Sequence, residues 1–246
     1  MTSTLYLRCS PGDVGSRVLL SGDPARVDRI GSLLDDARVV SRNREYSIIT
    51  GVYKDCRVSA VSAGIGAPST AIALEELKQV GARAVVRVGT MMGISAPMGT
   101  LVVPTGAVRY EGTSLRYLPI QFPAVPDWKL VQALNKSGRM AGLEVQLGVS
   151  ATYDAFYPDM APSLVADHPS PDWKPLRRAG VLSLDMESAL LFVAGRVLGL
   201  AVATMCLVTV KAGPPPEFMD QNRRANLDRR LVEAALGGLV TFQLEG

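Results

Sequence analysis

An arginine stands in the middle of Ala84 to Thr90, "AVVRVGT", a run in which four residues are Ala or Val. Such a run predicts a short strand buried in a parallel sheet, with Gly89 marking its end. Arg87 has little water there, and an uncompensated buried guanidinium costs more than its packing returns. Something anionic must meet it, either a structural carboxylate or a bound ligand. Three other segments hold matching chemistry. In "GDPARV", Gly22 permits close backbone approach, Pro24 suits the first turn of a helix and Arg26 turns its charge toward the junction, a geometry that holds a phosphate; the plainer reading is an Asp-Pro helix start with a solvated arginine. "GIGAPST" is a second glycine-rich turn entering a helix, and such turns also serve tight strand-to-helix packing. "SLDMESALL" sets Asp185 and Glu187 around the start of an apolar helix, where acidic side chains complement the helix dipole or grip the hydroxyls of a ligand.

Other catalytic schemes find no residues to carry them. The sole histidine, His168, sits in a proline-rich loop, so no Ser or Cys has an imidazole base. Cys9, Cys56 and Cys206 are odd in number and far apart, which gives neither a disulfide framework nor metal-ligand spacing. There is no P-loop and no strand followed by a full dinucleotide fingerprint. An anion site of arginines and glycine turns, with a carboxylate for hydroxyls, points to a sugar and a phosphate.

These groups need a scaffold that brings distant segments to one edge. Apolar runs such as "SRVLLSG", "YSIITGVY" and "CRVSAVSAG" alternate with amphipathic stretches such as "PARVDRIGSLL" and "PSTAIALEELKQVG", an α/β pattern sustained to a last helix from about residue 220 to 239. In open α/β sheets ligands bind beyond the carboxyl ends of strands, and the glycine turns and Thr90 fall at such ends. The chain of 246 residues shows no linker, repeat or compositional break, so a single domain over 1–246 is expected. Two proline-rich stretches, "YPDMAPSLVADHPSPDWKP" and "KAGPPPEF", resist assignment and have the length of functional loops. A net charge of +3 without a Lys/Arg stripe argues against nucleic acid, and no run has the apolar length of a membrane span. Reduced cysteines and an N-terminus without a signal-peptide core lead us to expect a cytoplasmic protein.

The order of "SGDPARVDRI", "NREY", "AGIGAPSTAIALEEL", "VRVGT", "GTSLRYLP", "FPAV", "SATYDAFYP" and "DMESALLF" resembles the nucleoside phosphorylase family, the purine nucleoside and uridine phosphorylase superfamily, and within it the uridine phosphorylases. The resemblance implies a central mixed β-sheet flanked by helices, in dimers or trimers of dimers. It implies that Gly22, Arg26, Arg87 and Thr90 bind inorganic phosphate as co-substrate, with Arg44 reaching in from a neighbouring subunit. Tyr6, Thr90, Met186 and Glu187 would meet the ribose, and Met92, Phe156, Met160 and Lys211 the base. Arg87 and Glu187 are then the catalytic pair, one charge-pairing the phosphate and the other holding the sugar. No organic cofactor is implied. Glu45, Ile65 and Ser69 match positions that hold a monovalent cation such as K+ between subunits.

The departures from that pattern cluster on the base and the ribose 5' end. Met160 and Pro162 replace the Gln and Arg that bind the uracil amide, Met92 replaces a glycine, and Tyr6 replaces a histidine. Asp185 replaces a longer Glu, Lys211 an Arg, and Val210 stands where purine enzymes place an Asp. A phosphorylase for purine or modified nucleosides, a nucleosidase using water, and a nucleoside- or phosphate-binding protein without turnover are therefore alternatives to uridine phosphorolysis.

Overall fold

The computed structural model describes residues 3–161, 163–164, 172–213 and 215–244. The β-branched runs form the strands. β1 (Arg17–Ser21) lies between β4 (Cys56–Ser62) and β5 (Ala84–Gly93), parallel to both. β3 (Tyr46–Tyr53) and β2 (Asp35–Asn43) extend the sheet antiparallel beyond β4. On the other side β5 runs parallel to β9 (Ala201–Lys211), β9 antiparallel to β6 (Leu101–Arg109), and β6 parallel to β7 (Val145–Thr152). The short β8 (Ser183–Asp185) runs parallel to β7 and antiparallel to the end of β5. The strands β5, β9, β6, β7 and β8 thus close on themselves, and β10 (Glu217–Phe218) adds a short edge to β9.

The sheet is mixed, as expected, but only its β1 to β4 arm is open. Gly89 does not end its strand. One edge of β5 serves β1 from Ala84 to Val88 and β8 at Met92 and Gly93, while the other edge pairs with β9 along its whole length. Arg87 is therefore a mid-strand residue, opposite Leu20 and Thr204. β2 carries no strand signal because it is an exposed edge rich in Asp and Arg, without the alternation that a buried face imposes.

Strand alternation divides the core in two. Leu19 joins Val27 and Ile30 of α1 (Pro24–Gly31), Leu130 and Leu134 of α3 (Trp128–Met140) and Leu231 of α6 (Gln221–Thr241). Val18 and Leu20 face the other way, toward Leu74 and Leu77 of α2 (Ala67–Gln79) and Leu191 and Phe192 of α5 (Ser188–Leu198). Asp side chains start three of these helices: Asp23, Asp127 and Asp220 accept from Ala25, Leu130 and Arg223 backbone N–H groups at 2.9 Å each. Around the proline-rich stretch after β7 lie a turn, Phe156–Met160, in which Tyr157 is extended, and the short α4 (Lys174–Arg178). Among the described residues no helix is long and apolar enough to cross a membrane.

Two glycine turns touch where β1 and β4 end. A Cβ on Gly22 would lie 2.9 Å from the carbonyl oxygen of Gly64, and Gly64 itself has φ of 68°, in the left-handed region. Gly22→Ala should therefore force the turns apart and cost about 1–3 kcal/mol of stability. Urea unfolding reads this directly, and an unchanged midpoint would show that the contact constrains nothing.

Candidate active site

A cavity of about 470 Å³ opens at the ends of β1, β5, β8 and β9, within the size range of small-molecule sites, roughly 300–1,000 Å³. Its walls come from segments more than a hundred residues apart. Gly22 and Arg26 arrive from the β1–α1 junction, Arg87 and Thr90 from β5, and Met186 and Glu187 from the turn between β8 and α5. Met92, Phe156 and Met160 supply an apolar wall, completed by Val210 from β9.

Arg87 is 7% exposed and meets three side chains. Its Nη2 pairs with Glu187, Nη1 lies 3.3 Å from Asp185 Oδ2, and Nη1 donates to Cys206 Sγ at 3.0 Å. The guanidinium lies along the strand over Gly89, where a Cβ would sit 3.4 Å from three of its atoms. Burial alone pulls its pKa down, but the carboxylate charges of Glu187 and Asp185 outweigh this and hold it above the ordinary arginine value. Burial pushes the Cys206 thiol up to about 12, so it faces Arg87 as a neutral group. Of the two partners considered for Arg87, structural carboxylates are present, and the arginine still lines the cavity.

The two acids divide their work. Asp185 accepts from Thr152 Oγ1 at 2.8 Å and from both the backbone and hydroxyl of Ser188, so it fastens the first turn of α5 from inside the core. Glu187, at the N-cap position, turns instead to Arg87 and accepts the Gly66 N–H at 2.8 Å, tying the second glycine turn to the cavity. Burial raises the Glu187 pKa, Arg87 opposes the rise, and Asp185 adds to it; the balance stays above the ordinary carboxylate value.

Arg26 is neither solvated nor free. It is buried, with Nε donating to Asp228 Oδ1 at 2.9 Å and Nη1 to Ser21 Oγ at 3.0 Å. Asp228 of α6 carries no sequence signal that sets it apart from its charged neighbours. The same holds for Arg224, which also lines the cavity, and for Cys206, hidden in an apolar strand.

Arg44 and Tyr6 lie outside the cavity lining and beside each other, the Arg44 guanidinium 5.7 Å from the Tyr6 ring centre. Glu45, Ile65 and Ser69 gather around Gly64: a Cβ there would lie 2.9 Å from Glu45 Cγ and 3.8 Å from Ser69 Oγ, and that hydroxyl donates to the Ile65 carbonyl at 3.1 Å. Lys211 stands apart from the cavity lining. It is the last residue of β9, directly opposite Glu217 of β10, and its ammonium pairs with that carboxylate at 2.9 Å, with the side chain 58% exposed. From β9 the cavity takes Thr209 and Val210 instead, at the irregularity where Met91 and Met92 pair with Val208 and Val210. Pro162 and His168 lie outside the described residues.

Comparison with known proteins agrees with this geometry. Residues 16–237 match the model of the phosphorylase superfamily. A uridine phosphorylase of Thermococcus kodakarensis is 39% identical over 82% of this chain and 76% of its own. A guanosine phosphorylase of Halorubrum lacusprofundi is 38% identical over 85% and 83%. The crystal structure of uridine phosphorylase from Vibrio fischeri superposes with a TM-score of 0.82 at 30% identity, covering 98% of each chain. The family match over residues 16–237, relatives of about 39% identity and a fold shared over 98% of the chain make this protein a member of the phosphorylase superfamily and a nucleoside phosphorylase, a pentosyltransferase resembling the uridine phosphorylases.

Proposed function

We propose that the protein cleaves the N-glycosidic bond of a nucleoside with inorganic phosphate, giving ribose 1-phosphate and free base, and that its base pocket reads shape and stacking more than a polar edge. The observation that carries this reading is the single cavity in which Arg26, Arg87 and Thr90 meet Glu187 on one side and an apolar wall of Met92, Phe156 and Met160 on the other. Phosphate takes charge-assisted hydrogen bonds from Arg87, with Arg26, Thr90 and the Gly22 turn beside it. Glu187 and Met186 meet the ribose, the carboxylate accepting from its hydroxyls. One phosphate oxygen forms a bond to the anomeric carbon as the carbon–nitrogen bond breaks. The base takes that electron pair and a proton from water. Positioning and charge do the catalysis, so the site works without histidine.

The buried Arg87–Glu187 pair gives this scheme a resting state. Arg87 opposes the burial that disfavours the Glu187 carboxylate, and arriving substrates exchange the ion pair for a phosphate on one side and sugar hydroxyls on the other. Among the described residues the cavity wall at Phe156 is formed by Met92, Met160 and Val210, and the two methionines offer a polarizable, non-directional surface. A purine nucleoside is the second reading, favoured by the similarity to a guanosine phosphorylase; Val210 stands against it, having no proton to give a purine leaving group.

The same reading makes the protein a homo-oligomer, a dimer or a trimer of dimers. Arg44 and Tyr6 lie together outside their own cavity, as groups that complete a neighbour's phosphate and ribose site would. The Glu45 carboxylate, Ile65 carbonyl and Ser69 hydroxyl are hard oxygen donors from one chain, and a second copy would double them, a donor set that fits K+ in a structural role between subunits. Three free cysteines suit a reducing, cytoplasmic setting.

Three experiments test this account. On a nucleoside panel assayed with and without phosphate, turnover should require phosphate. Uridine should be slow, with kcat/KM below roughly 10⁴ M⁻¹s⁻¹. Arg87→Leu should abolish turnover and cost about 3–5 kcal/mol, because two buried carboxylates lose their cation; undiminished activity in that variant removes Arg87 from the phosphate site. The pH profile gives a second test. Glu187 must be ionised to accept ribose hydroxyls, and its pKa is raised, so kcat/KM should fall with acid at a pH above the ordinary carboxylate pKa of about 4.3. The residual activity of Glu187→Gln should lack this limb, and a limb kept in that variant assigns it to another group. Thirdly, mixing inactive Arg44→Ala and Glu187→Ala subunits should recover part of the activity through hybrid sites, and no recovery after verified subunit exchange argues against sharing.

A further inference from the structure

Beside the active-site cavity lies a second one, of about 350 Å³, between α1 and the start of α6. The two share Asp23, Arg26 and Arg224, so they adjoin across these side chains. Arg29 and Asp228 also line the outer one, whereas Phe156, Met160 and Val210 line only the inner. Three arginines set against two carboxylates leave the outer cavity one net positive charge. Arg26 is held by Asp228 and Ser21, and Arg29 reaches Asp23 at 3.0 Å and Asp228 at 3.3 Å. Arg224 is exposed, and its side chain has no hydrogen bond or ion pair among the described residues. The uncompensated charge is therefore that of Arg224, in the first turns of α6 on the wall common to both cavities.

We propose that Arg224 and the outer cavity form a capture site for inorganic phosphate, which passes from there to Arg87 and Thr90. This rests on the phosphorolytic reading above. A paired arginine presents a dipole to an approaching dianion, whereas an unpaired one presents a full charge whose reach is the Debye length, about 8 Å at physiological salt. A neutral nucleoside gains nothing from that field. The base-side residues belong to the inner cavity alone, so phosphate has an approach that does not cross the apolar wall.

Arg224→Gln should weaken inorganic phosphate binding, measured by calorimetry, and raise the KM for phosphate roughly fivefold. The greater part of the loss should fall on kcat/KM for phosphate, with the KM for nucleoside at saturating phosphate little changed. The variant should also lose most of the salt dependence of kcat/KM for phosphate that the wild type shows between about 20 and 200 mM salt. Arg224→Lys should restore that dependence, and Arg224→Glu should weaken phosphate further. All three changes are at an exposed position, and the circular dichroism of each variant reports its folding. If phosphate binds the wild type and Arg224→Gln equally, with the same salt dependence, the capture site is overturned while phosphorolysis stands. If the wild type binds no phosphate and shows no phosphorolysis, both fall together.

Discussion

The cation of Arg87 sits at the centre of the closed part of the sheet, and its neutralisation by Glu187 and Asp185 is the constraint around which the site is assembled. A mid-strand arginine with 7% exposure leaves the fold no choice but to bring carboxylates to it. Those carboxylates come from the β8–α5 turn, about a hundred residues later in the chain. Asp185 is itself locked to Thr152 and Ser188, so the arginine, the end of β7 and the start of α5 share one buried polar network. Glu187 extends the network to Gly66, which links the second glycine turn to the same charge.

The closure of β5, β9, β6, β7 and β8 is the geometric counterpart of that network. Because β5 is long enough to pair with β1 at its start and β8 at its end, the residues of the β1–α1 and β8–α5 junctions face one cavity. The contact between Gly22 and Gly64 then sets how near the two turns stand to it. Arg87 is carried by a strand, Arg26 by a helix and Glu187 by the turn before α5, while the apolar wall draws on β5, β9 and the turn after β7.

Arg26 shows how far a side chain's environment can depart from its local sequence. Within "GDPARV" it reads as either a phosphate ligand or a solvated arginine. In the fold it is a buried partner of Asp228, contributed by the last helix, and still lines the cavity. Its charge is thus shared between the structure and the site, and the exposed Arg224 beside it is left as the unshared one.

The sequence by itself determined the α/β class, the strands of high Val and Ile content, and the places where glycine turns and arginines meet the ends or interior of strands. These are local properties: periodicity, β-branching, turn residues and the impossibility of burying Arg87 alone. Motif order also carried the family. Tertiary structure decided what no window of sequence contains. It set which carboxylates neutralise Arg87, extended β5 past Gly89, made a strand of the polar segment Asp35–Asn43, and turned Lys211 away to Glu217 while Val210 faced the cavity. It also brought Asp228 and Arg224 from α6 beside Arg26. Each of these depends on pairing between segments far apart in the chain, where the energy lies in the partner and not in the residue, and so was fixed only when the sheet closed.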